Sequence, residues 1–257
     1  MRAAGGHSAP SRNETCLVVG GSSGLGRFLA ERFACAGYAV ALISSDRRDT
    51  NALASDLELR LGVPVATVAM DLCLERLDLS ELDRALSILP PLTTLLAPAG
   101  MNAEDDTPGQ PMTAFKALTR ANFGSISCII GHCLPRLRAA PAGLIVGFGS
   151  VAAVRGRTRN TAYSAAKRAL QSYFESLRHA LSGSKVMVQF YVLGYLDTNL
   201  AFGQRTLLPP ASPSRLAEHV YARRSKPFGV KYYPRIWKPI CAVVRILPWF
   251  IFRRLGF

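Results

Sequence analysis

The sequence predicts an α/β fold, a doubly wound parallel sheet flanked by helices. Three observations carry that reading. Short apolar, β-branched runs alternate with stretches of helical periodicity between residues 15 and 193, and such alternation builds parallel sheets. The first run passes through a glycine-rich turn into a helix. Small and polar residues recur where the runs end, the rim at which open parallel sheets bind ligands. A chain of 257 residues, 49% apolar and with ordinary Gly and Pro content, has room for a large core and excludes a disordered or fibrous class.

Thr15-Cys16-Leu17-Val18-Val19 reads as a buried strand. Gly20-Gly21-Ser22-Ser23-Gly24-Leu25-Gly26 follows, and residues 27–37 carry Phe28, Leu29, Phe33 and Ala36 at helical spacing. Glycines let a backbone approach a pyrophosphate, and a helix N-terminus offers free N–H groups and a positive dipole end. Gly20, Ser22, Ser23, Gly24, Leu25 and Gly26 are therefore candidate cofactor contacts, in a G-x3-G-x-G spacing. The second strand spans residues 38–43. Ser44, Ser45, Asp46 and Arg47 come next, where an adenine ribose would lie. An acid there suits ribose hydroxyls and a base suits a 2′-phosphate; both signs are present, so NADH and NADPH remain open.

A helix is expected over residues 51–61 and a strand over 65–70. Asp71 and Leu72 suit either an adenine edge or an ordinary helix cap. Leu92–Ala97 reads as the fourth strand, turning at Pro98-Ala99-Gly100 into a polar loop over residues 102–110 that holds Glu104, Asp105 and Asp106. Residues 112–137 are mostly helical, interrupted by Gly124 and Gly131, with Asn122 inside. Asparagine is a middling helix former, so this one is either exposed or engaged. The fifth strand, residues 144–148, ends in Gly149-Ser150. A helix over 163–181 and a strand at Val186–Leu193 follow, leading into Gly194-Tyr195-Leu196-Asp197-Thr198.

Tyr163 and Lys167 stand four residues apart, one above the other on a helix. A phenol with a pKa near ~10 is a poor acid at neutral pH, and a neighbouring cation brings it into range. Alone, the pair reads as a solvated helix face. Its companions at the strand ends make it half of a site.

The six cysteines form no CxxC pair and have apolar neighbours, so they read as buried free thiols of a reducing compartment. The four histidines lack ligand spacing for a metal. The net charge is +14, and nine Lys or Arg with no Asp or Glu lie between Arg223 and the C-terminus. There Ile236, Trp237, Ile240, Val243, Val244 and Leu247 repeat at helical spacing, and Trp249-Phe250-Ile251-Phe252 continues the apolar run. A spanning helix needs ~20 apolar residues; this stretch is too short and too charged. A basic amphipathic segment with aromatics suits an anionic membrane surface or packing on its own domain or a dimer mate. No nucleic-acid module accompanies the basic stretch. Residues 1–13 lack the apolar core of a signal peptide and are expected to be a disordered lead-in.

Together these residues resemble a short-chain dehydrogenase/reductase. Val19 to Gly26 is similar to that family's TGxxxGxG turn, with Val19 for threonine. Ser150, Tyr163 and Lys167 match its catalytic trio, and Asn122 matches the asparagine of its tetrad. Leu193 to Thr198 stands for its PG-x-x-x-T stretch, with Leu193 for proline. Ala97-Pro98-Ala99-Gly100 departs from the usual NNAG. The resemblance implies a Rossmann-like sheet over residues 14–226, a basic extension over 227–257, and an NAD(P)H-dependent enzyme. It implies that Tyr163 donates a proton, that Lys167 binds the nicotinamide ribose and lowers the tyrosine pKa, and that Ser150 holds the carbonyl oxygen. Asn122 would hold a water, and Ala99, Gly100, Gly194, Leu196 and Thr198 would line the cofactor.

A narrower resemblance, carried by Arg155-Gly156-Arg157-Thr158-Arg159-Asn160 and by residues 243–255, is to the reductases of polyprenylphosphoryl-2-keto-ribose. It implies a lipid-phosphate-linked keto-sugar substrate, an FAD-dependent oxidase partner and NADH as donor. The three arginines would meet the lipid phosphate or stay solvated. The protein is expected to be a homo-oligomer that binds no nucleic acid, cytoplasmic and peripheral at the inner face of the membrane. Another hydrophobic ketone, 3-oxoacyl or steroid-like, is the alternative substrate. A non-catalytic cofactor-binding role is the alternative of another class, opposed by the complete Asn-Ser-Tyr-Lys set.

Overall fold

The computed structural model describes residues 13–198 and 208–254; most of the expected lead-in lies outside them. Seven parallel strands form one sheet in the order β3-β2-β1-β4-β5-β6-β7. They are β1 (Thr15–Val19), β2 (Ala39–Ser44), β3 (Val65–Ala69), β4 (Leu92–Ala97), β5 (Gly143–Ser150), β6 (Val186–Leu193) and β7 (Val230–Tyr233). β1 lies between β2 and β4, so the strand order reverses there and opens a crevice at the carboxyl ends. The central strands are buried on both faces, which is why β1 and β2 read as continuous apolar runs rather than alternating ones.

Helices α1 (Gly24–Ala34), α2 (Arg47–Leu61) and α7 (Pro213–Ala222) cover one face, burying Leu29, Phe33, Leu57 and Leu216 with β1 and β2. Helices α3 (Ser80–Ser87), α4 (Met112–Thr119), α5 (Ser125–Ala139) and α6 (Thr161–Ala180) belong to the other half, where Leu82, Ile126, Ile129, Leu170 and Phe174 form the second core.

Several boundaries move for identifiable reasons. α1 starts at Gly24 rather than at residue 27, because the last glycines of the turn already belong to its first turn. α2 starts at Arg47 because the Asp46 carboxylate accepts the Asp49 N–H at 2.9 Å and caps it. The long helix expected over 112–137 is three pieces: α4, a π-helical turn at Arg120–Gly124, and α5. Asn122 causes the break, since its Nδ2 takes the Leu118 carbonyl at 2.9 Å, the acceptor its own backbone amide would use in an α-helix. α7 packs on α1 through the Arg32–Glu218 pair and the Phe33–Tyr221 rings. The expectation of six buried thiols is corrected: Cys16, Cys133 and Cys241 are buried, but Cys35 and Cys128 are exposed and Cys73 is half-buried. Apolar sequence neighbours do not bury a residue that falls on the solvent face of a helix.

The C-terminal stretch forms α8 (Trp237–Ile246) and the short α9 (Trp249–Phe252). No described helix is long and apolar enough to cross a membrane. The apolar repeat read from the sequence divides in two. Trp237 and Cys241 are buried with Val154, and Ile240 and Val244 pack against that cluster. Ile236, Val243 and Ile246 face outward. Arg155 ties α8 down, donating to the carbonyls of Val244, at 3.1 Å, and Leu247, while its guanidinium lies 4.1 Å from the Phe252 ring centre. Charge-assisted hydrogen bonds of this kind contribute about 1.5–3 kcal/mol each. Arg155→Met is expected to speed amide exchange over residues 237–252 by at least about tenfold while the central strands keep their protection, measured by hydrogen–deuterium exchange.

Candidate active site

The glycine turn is shaped as a cradle that side chains would fill. Gly20 has φ +87°, and a Cβ there would stand 2.9 Å from Ala99 Cα. A Cβ on Gly26 would come within 1.8 Å of the Gly20 carbonyl oxygen. Ser23 makes no side-chain cap and no acid stands in the first turn of α1, so its N-terminal amides and dipole end remain suited to an anion. Gly20, Ser22, Ser23, Gly24, Leu25 and Gly26 all line a single cleft of about 750 Å³. A dinucleotide fits this combination of cradle and helix end.

At one end of the cleft Ser22 and Ser44 share a hydrogen bond of 2.7 Å, and Ser44 Oγ accepts the Asp46 amide at 3.2 Å. Ser45 and Asp46 also line the cleft. Arg47 does not: its guanidinium is 4.0 Å from Glu81 and largely in solvent. Asp71 and Leu72 line the same end, where the Asp71 carboxylate closes a turn by accepting Cys73 N at 2.9 Å, and Leu72 O accepts Ser125 Oγ at 2.7 Å.

The other end holds Ser150, Tyr163 and Lys167. Strand β5 has glycine at 147, where a Cβ would meet the Phe174 ring at 2.5 Å. The missing side chain lets α6 lie close on the sheet. Tyr163 and Ser150 then line the same end of the cleft, and Lys167 Nζ donates to the carbonyls of Ala99 at 2.8 Å and Phe148 at 3.4 Å. Burial raises the Tyr163 pKa; the nearby Ser150 hydroxyl and the Arg157 charge oppose that rise. Burial also pushes Lys167 down to about 7. Arg157 is thus a cation near the phenol to which sequence reasoning did not give this role.

Asn122 is fully buried behind the wall rather than in the cleft. Its Nδ2 donates to Met101 O at 2.7 Å and its Oδ1 accepts Met101 N at 3.1 Å, so it clamps the turn after β4. Ala99 and Gly100 are thereby fixed beside Lys167; a Cβ on Gly100 would be 3.2 Å from Nζ. Gly194, Leu196 and Thr198 line the cleft beyond β6. A Cβ on Gly194 would overlap the Trp237 indole at 1.9 Å, so the first residue of α8 closes directly over this strand end.

Sequence reasoning missed Asp106, which it left in a polar loop. Asp106 is 1% exposed, and its two oxygens accept the backbone amides of Ala162 at 2.8 Å and Tyr163 at 2.9 Å. Gln110 Nε2 holds the same carboxylate at 2.7 Å. The local residue at the start of α6, Asn160, has φ 58° and makes no side-chain cap. A carboxylate 56 residues upstream therefore caps the helix that carries Tyr163 and Lys167, its charge favourable at a helix N-terminus. An unexplained acid in the loop after β4 was the only sequence signal. Of the three arginines before Tyr163, Arg155 is committed to α8, Arg157 lines the cleft and Arg159 is exposed.

Comparison with known proteins agrees with this geometry. A family model described as short chain dehydrogenase matches residues 14–206. A dehydrogenase/reductase SDR family protein 7-like protein of Anopheles gambiae is 30% identical over 199 residues, which cover 74% of this chain and 61% of that protein. A 3-oxoacyl-acyl-carrier-protein reductase of Chlamydia muridarum is 22% identical over 191 residues, covering 74% of this chain and 77% of its own. Among solved structures, a short-chain dehydrogenase from Sphingobium yanoikuyae in complex with NADPH superposes with a TM-score of 0.76 at 25% identity, covering 90% and 93% of the two chains.

Two expectations follow from the site. Asp106→Ala is expected to lower kcat about 10- to 100-fold and to cost about 1–2 kcal/mol of stability, the range for a lost helix cap. Cofactor affinity should stay within about threefold, because the glycine cradle is untouched; steady-state kinetics, thermal melts and cofactor titration read these separately. Lys167 sits at about 7 when folded, against ~10.4 in an unfolded chain. The unfolded chain binds the extra proton between those values, so this contribution to stability is full above ~10.4 and is lost as pH falls toward 7. The urea midpoint of the wild type relative to Lys167→Met should therefore rise from pH 7 to pH 10.

Proposed function

The chain belongs to the short-chain dehydrogenase family, and from that premise we propose that it is a nicotinamide-dependent reductase acting on the keto group of a polyprenylphosphoryl-2-keto-ribose. The observation that carries the reductase reading is the meeting of Ser150, Tyr163 and Lys167 at one end of the cleft, with Lys167 Nζ buried against the carbonyls of Ala99 and Phe148. The nicotinamide, when bound, supplies the hydride. Tyr163 gives its phenolic proton to the carbonyl oxygen as alkoxide charge develops, and Ser150 Oγ donates a hydrogen bond to that same oxygen. Lys167 holds the nicotinamide ribose, and Thr198 orients the carboxamide. Asn122 acts by fixing the turn that positions Ala99 and Gly100 beside Lys167.

The lipid-linked sugar is supported by the resemblance of residues 155–160 and 243–255 to decaprenylphosphoryl-2-keto-ribose reductase, and by the place of Arg157. This side chain lines the cleft and acts electrostatically on Tyr163, so it is the arginine of the three suited to read a phosphate near the reacting carbonyl. The product would be a polyprenylphosphoryl arabinose for arabinosylation of the cell envelope, with an FAD-dependent oxidase supplying the ketone. NADH is the proposed donor: the Asp46 carboxylate lines the ribose end of the cleft and disfavours a 2′-phosphate, while Arg47 turns to Glu81. The second reading, a 3-oxoacyl ketone, is supported by the name of the Chlamydia relative. The family match ends at residue 206, before α7, β7 and α8.

Tyr163→Phe is expected to lower kcat by about 100- to 10,000-fold with cofactor affinity unchanged, the span of one general acid. With oxidase-generated polyprenylphosphoryl-2-keto-ribose, the wild type should oxidise NADH in preference to NADPH, followed by absorbance. Consumption of neither donor would overturn the assignment. Arg157→Met should raise KM for the lipid substrate more than tenfold while sparing a neutral ketone. It should also move the alkaline limb of reduction to higher pH, because the charge that lowers the Tyr163 pKa is gone.

A further inference from the structure

The exposed apolar side chains of this protein are not scattered. Six of the eleven large ones among the described residues fall within residues 236–251: Ile236, Val243, Ile246, Trp249, Phe250 and Ile251. Trp249 and Phe250 are 66% and 60% exposed at the start of α9. Ile236, Val243 and Ile246 recur at i, i+7 and i+10 and share one face of α8. The opposite face is spent on the protein itself, through Trp237 and Cys241. Exposed cations surround the apolar group: Arg235, Lys238, Arg245, Arg253 and Arg254. No Asp or Glu follows Glu218 in the sequence.

We infer that α8 and α9 form a docking surface for an anionic lipid bilayer, set beside the substrate end of the cleft. The charge decides between occupants. A second copy of this surface would bring two sets of five cations together, which costs energy, whereas anionic headgroups neutralise them. Trp, Phe and Ile at the tip enter the interface between headgroups and acyl chains, where such side chains gain most. The surface is also fixed to the site. Trp237 closes over Gly194, α8 packs on Val151 and Val154 just after Ser150, and Arg155 binds the end of α8 to the loop that leads to Tyr163. A bilayer at this surface would present a lipid-borne ketone at the cleft without extracting its tail into water. The inference deepens the proposed lipid-linked substrate and rests on that reading for what enters the cleft, but docking itself needs no turnover.

The test is flotation of the full chain with vesicles of phosphatidylcholine alone or with about 30% phosphatidylglycerol. The wild type is expected to float with the anionic vesicles, weakly with the neutral ones, and less as salt is raised. Trp249→Ser with Phe250→Ser, and separately Lys238→Glu with Arg245→Glu, should each weaken anionic-vesicle binding at least about tenfold. Reduction of a soluble ketone by the same variants should be unchanged, which shows that they are folded. Equal flotation of wild type and both variants would overturn the inference. So would a wild type that stays with neither vesicle but runs as a dimer that Trp249→Ser with Phe250→Ser converts to a monomer, since a second copy would then be the occupant. Failure of flotation with intact turnover on the keto-sugar would sink the docking surface alone. Flotation without turnover would sink the substrate reading alone.

Discussion

The close approach of α6 to β5 is the constraint on which the rest of the site depends. Gly147 leaves the space that the Phe174 ring occupies, so the helix lies nearer the sheet than any side chain at 147 would allow. Only at that separation does Lys167 reach the carbonyls of Ala99 and Phe148, while Tyr163 lines the cleft beside Ser150. The same approach buries the lysine and pulls its pKa down to about 7. Packing and acid–base chemistry are thus consequences of one contact. Asp106 completes it at the other end of the helix, where it takes up amides that the left-handed Asn160 leaves without a side-chain cap.

The loop after β4 joins these parts. It is clamped by Asn122, and its Ala99 carbonyl is the nearer acceptor for Lys167, while Asp106 returns from it to α6. Ala97-Pro98-Ala99-Gly100 lacks the asparagines usual at this place in the family, yet the geometry needs only backbone carbonyls and small residues here. A Cβ on Gly20 would already meet Ala99. The departure from the family's residue pattern therefore keeps the backbone contacts of the turn with Lys167 and Asn122.

The C-terminal segment has two faces with different tasks. Its inner face stabilises the wall of the cleft through Trp237, and its outer face carries apolar and basic side chains that are exposed among the described residues. A hydrophobic repeat read along a sequence counts both faces together. The apolar run alone could not separate Trp237, buried, from Ile236 and Val243, exposed, because that separation is made by Val151, Val154 and Tyr195 from distant parts of the chain.

The sequence by itself determined the doubly wound sheet, the glycine turn, and the candidate set of Ser150, Tyr163, Lys167 and Asn122. Each of these is local: a strand, a turn or a helical spacing is written in residues a few positions apart. It misplaced what depends on distant partners. β7 was missed because four half-buried residues that include a lysine show little period, and only pairing with β6 makes them a strand. The break at Asn122 needed knowledge of where one amide group would bond. Asp106 looked like any loop acid, since its acceptors' partners lie 56 and 57 residues away. Arg155, Arg157 and Arg159 looked alike until tertiary structure gave one to α8, one to the cleft and one to solvent. Tertiary structure alone decided these, because hydrogen bonds and burial between remote segments leave no trace in local pattern.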